Sequence, residues 1–98
     1  MPRNAAKRCY AVAWSSDGES GSGRLELRDD RLELHSRGHG RSIALSELVG
    51  VSIARGKRDR LHGLPVLALA LRGAAPVRIA SLEGIGALHE LAERVSAG

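Results

Sequence analysis

Aromatic side chains are nearly missing: the 98 residues include one tyrosine, one tryptophan and no phenylalanine. Two isolated rings, Tyr10 and Trp14, cannot build the stacking platform on which proteins spread unpaired bases. Cysteine occurs once, at Cys9, which excludes an internal disulfide and a thiolate metal site. Long apolar runs are absent as well. The cleanest, from Leu64 to Leu71, is far shorter than the roughly 20 residues that a membrane-crossing helix needs, and no secretory signal is recognisable. These absences predict a soluble, cytoplasmic protein.

The residues that are present describe a globular chain. Hydrophobic residues make up 43% and charged residues 27%, too apolar for a disordered segment. The length suits a single domain with a modest core of Leu, Val, Ile and Ala. The formal net charge of +4 is unevenly placed. Arg3, Lys7 and Arg8 charge the N-terminus, and Arg55, Lys57, Arg58 and Arg60 charge one internal segment, leaving the rest slightly acidic. The high pI therefore reflects two local patches, not a general coating for polyanions. Residues 1–8 lack periodicity and read as a flexible basic tail, followed by one domain over residues 9–98.

From Tyr10 the period is two, with Tyr10, Val12 and Trp14 on one face. "SSDGESGSG" reads as a turn-rich loop. "RLELRDDRLEL" is the most regular stretch. With Asp29-Asp30 as a two-residue turn, Leu27 faces Leu32 and Leu25 faces Leu34, placing Glu26, Arg28, Arg31 and Glu33 on the wet side. "SRGHGR" is a further glycine turn, and "SIAL" a short strand with Ile43 and Leu45 inward. After a corner at Ser46-Glu47, "LVGVSIA" alternates Val49, Val51 and Ile53 with small residues. "LPVLALAL" and "VRIA" are two further strands.

The period then changes. Leu82, Ile85, Leu88, Leu91 or Ala92, and Val95 recur every three to four residues, which predicts a helix from Leu82 to about Ser96. Ser81 suits its N-cap and Glu83 its first turn. Gly84 and Gly86 weaken that first turn by about 1 kcal/mol each relative to alanine, so the helix depends on docking against a sheet.

This order predicts a mainly β fold with one C-terminal helix: a barrel or sandwich of about seven antiparallel strands in two sheets, capped by the helix. Leu25, Leu27, Leu32, Leu34, Val51, Leu69, Ile79, Ile85 and Leu88 are its expected core. The element order, with "GRLELRDDRLELHSR", "RSIALSELVGVSIARG" and "VRIASLEGIGALHELAERV", resembles the pleckstrin-homology-like (PH-like) domain superfamily, particularly its small bacterial branch. The resemblance covers Tyr10 to Ala97 at the level of pattern. Another small β-barrel with an appended helix is the alternative.

No catalytic grouping stands out, and the chain is read as a non-enzyme without cofactor or metal. Asp29-Asp30 is accounted for by the turn. "GESGSG" precedes a strand instead of a helix N-terminus, so it is no phosphate cradle. His35 and His39 lack a further metal ligand, His89 stands beside the helix stripe, and Cys9 reads as a small core residue. What remains is "IARGKRDRLHG". It is either a solvated turn or an anion site made by Arg55, Lys57, Arg58 and Arg60. Phosphoinositide-binding members of the superfamily carry basic residues in the first inter-strand loop. Here that loop has Asp17 and Glu19 and no basic residue before Arg24. The resemblance therefore carries an anion site onto the 55–60 loop alone. It also implies the oligomerising or protein-binding behaviour of bacterial relatives. Two expectations follow: a protein-binding or self-associating module working through strand edges or the groove beside the helix, or a weak peripheral binder of anionic lipid headgroups or other phosphates. Nucleic acid is the lesser partner.

Overall fold

The computed structural model describes residues 9–56 and 60–97. The basic tail, and Lys57 and Arg58 of the basic segment, lie outside the described residues. Seven antiparallel strands carry the fold: β1 Cys9–Ser16, β2 Glu19–Leu27, β3 Arg31–Ser36, β4 His39–Ala44, β5 Leu48–Ala54, β6 Val66–Leu71 and β7 Ala74–Ser81. A short 3-10 turn, Leu45–Glu47, joins β4 to β5, and the helix α1, Ile85–Ala97, closes the order. The strand order is β4-β3-β2-β1-β7-β6-β5. The first four strands and the last three are thus joined through β1 and β7, with Val12 opposite Ser81 and Trp14 opposite Ile79. In place of the two expected sheets, one continuous sheet curls into a half-barrel, because β1 pairs with β7.

The hairpin register follows the alternation of the sequence. Leu25 faces Leu34 and Leu27 faces Leu32, and the Arg28 N–H donates to the Arg31 carbonyl at 2.8 Å across the Asp29-Asp30 turn. Arg31 Nε donates to Glu33 Oε2 at 2.9 Å, and this hydrogen bond, first among its causes, holds the Glu33 carboxyl below the usual carboxylate range. Elsewhere the strands run longer than expected. "SSDGESGSG" is strand nearly throughout, with only Asp17-Gly18 as the turn and Ser16 facing Glu19. Asp17 and Gly18 have φ of 50° and 82°, the left-handed pair that a two-residue turn needs to match strand twist. "SRGHGR" likewise contracts to a turn at Arg37-Gly38, with Ser36 facing His39.

Leu25, Leu32, Leu34, Leu69, Ile79 and Leu88 are buried as expected, together with Tyr10, Val12, Trp14, Leu67, Val77 and Leu91. Leu27 and Val51 are half-buried at the margin of this core. Four expectations need correction. Ile85 is 44% exposed and Leu82 51% exposed, because the helix begins later than the stripe suggests. The Leu82 N–H donates to the Ala11 carbonyl, and the Ala11 N–H to the Glu83 carboxylate, so this stretch extends the β1–β7 edge. Ser81 Oγ accepts from the Glu83 N–H at 3.0 Å within that turn and does not cap α1. Val49 is 58% exposed because a bulge between Leu48 and Gly50 shifts its register. Cys9 is exposed at the start of β1, on the outward face, with Sγ 3.7 Å from Glu26 Oε2.

The docked stripe of α1 is Leu88, Leu91 and Val95, supported by Ala87 and Ala92 and packed on β5, β6 and β7. No described helix is long and apolar enough to cross a membrane. Tyr10 ties α1 to β1: its hydroxyl donates to Glu90 Oε1 at 2.8 Å. Burial and then this bond push the phenol up to about 12 from 10.0. The folded state therefore favours the neutral phenol. The stabilisation is complete below pH 10.0 and is lost as pH rises toward about 12. Denaturant unfolding across that alkaline range should show falling stability in the wild type. Tyr10→Phe should flatten the fall, and an unchanged slope in the variant would assign it elsewhere.

Candidate interaction surface

The open side of the half-barrel, between β4 and β5, gathers the features that could bind. Each of these strands ends the sheet order, so each has one edge without a strand partner among the described strands. They differ in chemistry. β4, "HGRSIA", carries Arg41, and a charged edge resists pairing with another strand. β5, "LVGVSIA", has no charge and no proline over seven residues, and Val49 projects from it. No hydrogen bond of turns or loops reaches the outer edge of β5 among the described residues. Beside it runs a shallow cleft lined by Leu45, Leu48, Gly50, Val51, Val95 and Ser96, with the 3-10 turn on one side and the end of α1 on the other.

β5 leads straight into the basic segment. Arg55 and Arg60 are exposed, as expected. Arg60 folds the loop back on itself: its Nη1 donates to the Gly63 carbonyl at 2.9 Å and its Nε to the Arg55 carbonyl at 3.4 Å. Leu61 and Leu64 exchange backbone hydrogen bonds of 2.9 and 3.0 Å, closing a small turn at His62-Gly63. Arg55 reaches α1, with Nη2 2.9 Å from His89 Nε2. A guanidinium only donates, so in this contact the ring nitrogen of His89 takes the acceptor side. Among the described residues, Arg60 bonds to backbone carbonyls, Arg55 to the His89 ring, and no carboxylate lies within ion-pair distance of either. Their charge has no acidic partner among the described residues, and Arg55 links the end of β5 to α1.

The meeting of Arg55 and His89 is not legible in the sequence; they are 34 residues apart, and no local pattern links a loop to a helix face. A second grouping escapes a residue-by-residue reading. Glu26, Glu33 and His35 place one donor atom each within 4.8 Å of the others on the far side of the sheet. The leucine register already contained this pair, since Leu27 opposite Leu32 forces Glu26 opposite Glu33. Compared with models of known protein families the chain matches none, and no curated protein matches it.

Proposed function

We propose that the chain is a non-catalytic interaction module of PH-like type that pairs through the edge of β5 with an extended polypeptide segment, a second copy of β5 being the concrete case. The uncharged edge of β5, without a strand partner among the described strands and beside a shallow cleft that includes Leu45, Leu48, Val51 and Val95, carries this reading. An added strand would gain backbone hydrogen bonds along β5, while alternate side chains would reach Leu48, Val51 and Val95. Antiparallel pairing of two β5 edges is self-complementary and closes as a twofold dimer. The superfamily resemblance adds the self-associating habit of bacterial members.

A second reading is weak binding of phosphates or anionic headgroups at the loop, favoured by Arg55 and Arg60, which are exposed and have no acidic partner among the described residues. The Asp17-Gly18 turn offers no basic residue, so this loop would act without help from the first hairpin. Solution mass over a concentration series, at low and physiological salt and with acidic vesicles, separates the two. Edge pairing should give a concentration-dependent dimer that resists salt and disappears in Val49→Lys, with stability within about 0.5 kcal/mol of wild type. A monomer at every concentration would remove self-pairing. Vesicle binding that vanishes at physiological salt would support the loop instead.

A further inference from the structure

We propose that Glu26, Glu33 and His35 form a binding site for a divalent transition ion of the zinc class on the outer face of the β2–β3 hairpin. Glu26 and Glu33 face each other directly across the two strands. His35 lies two residues beyond Glu33 on the same strand and hence on the same face. His35 Nε2 stands 2.9 Å from Glu26 Oε1 and 3.7 Å from Glu33 Oε1. A tetrahedral ion with bonds near 2.0–2.1 Å separates its donors by about 3.3 Å, so the two distances bracket the required spacing. One imidazole with two carboxylates suits zinc or cobalt, whereas magnesium and calcium prefer oxygen donors alone.

The imidazole supplies a separate observation. His35 Nε2 is shut off from solvent and, despite its closeness to Glu26, is not aligned to hydrogen-bond with it. The nitrogen stands between two carboxylate oxygens, on an imidazole that is otherwise 44% exposed and so leaves an ion a way in. The carboxylates themselves also call for a cation, because like charges directly opposite each other destabilise a sheet. Arg28 now fills part of that role, at 3.6 Å from Glu26 and 3.3 Å from Glu33 Oε1. Its side chain is half exposed and can swing away. Arg31 instead holds the other oxygen of Glu33, Oε2, and so keeps Oε1 turned toward His35. Three protein donors would leave one position for water.

The site lies on the hairpin, away from β5, so it stands or falls separately from edge pairing. The test is titration of the untagged protein with Co²⁺, followed by visible absorption, and with Zn²⁺, followed by calorimetry. One equivalent should bind, with the intense visible bands of tetrahedral cobalt. Glu26→Gln and His35→Ala should each weaken binding about tenfold or more. Arg28→Ala should leave binding equal or tighter, and His89→Ala should leave it unchanged. Far-UV circular dichroism of each variant confirms that the fold survives these surface changes. Failure to bind one equivalent, binding that persists in Glu26→Gln and His35→Ala, or loss of binding in His89→Ala would overturn the assignment.

Discussion

Gly23→Ala is expected to destabilise the protein by about 3 kcal/mol or more, beyond the ordinary cost of one extra methyl in a packed interior. Gly23 lies mid-strand in β2, opposite Val12 on β1 and Ser36 on β3. A Cβ placed there would meet the carbonyl oxygen of His35 far inside van der Waals contact, with the His35 carbonyl carbon and Ser36 Cα both at 3.1 Å. These are backbone atoms of a paired strand, so no side-chain rotation relieves the overlap. The ladder between β2 and β3 must open or β2 must shift. Gly40→Ala is the matched control in β4, where the nearest atom, the Leu34 carbonyl oxygen, is 3.7 Å away. It should be neutral or slightly stabilising, because alanine restricts the unfolded chain. Chemical denaturation of both variants checks this. A Gly23→Ala protein as stable as Gly40→Ala would mean that β2 and β3 do not approach so closely.

Leu69→Ala is expected to cost about 2–5 kcal/mol through lost burial and the cavity it leaves. Leu69 is fully buried in β6, between Val51 on β5 and Val77 on β7, in the core that the helix covers. β6 is held on both sides by paired strands, which limits collapse into the gap. A domain of this size has only about 5–15 kcal/mol in total, so the change would remove a large fraction of it. Leu82→Ala is the informative contrast. Leu82 belongs to the same helical stripe in the sequence, yet it is 51% exposed, and its loss should stay within about 0.5 kcal/mol. Equal losses at both positions would mean that the helix starts at Leu82 after all.

That contrast shows where local reading ends. Alternation at Leu25, Leu27, Leu32 and Leu34 determined the first complete register, because a two-residue turn leaves no other pairing that buries all four. The glycine-rich stretch around Gly21 and Gly23 read as a loop because glycine weakens strands. In the structure Trp14 lies over Gly21, its ring carbon 3.0 Å from where a Cβ would stand, so the strand needs glycine there. The basic segment was legible as charge, whereas its contact with His89 was not. Glu26, Glu33 and His35 each look like ordinary wet-face residues when taken singly, and only the hairpin register brings them together.

The sequence by itself determined the seven strands, their antiparallel sense, the neighbouring hairpins and the single C-terminal helix, since period, turn residues and short connections are local properties. Tertiary structure decided the β1–β7 pairing that makes one curled sheet, the bulge that turns Val49 outward, and the late start of α1. It also decided which two strands, β4 and β5, end the sheet without a further partner among the described strands. Each of these depends on contacts between residues far apart in the chain. Backbone groups such as those of Ala11 and Leu82 must find partners somewhere, and only the closed fold sets which ones they meet.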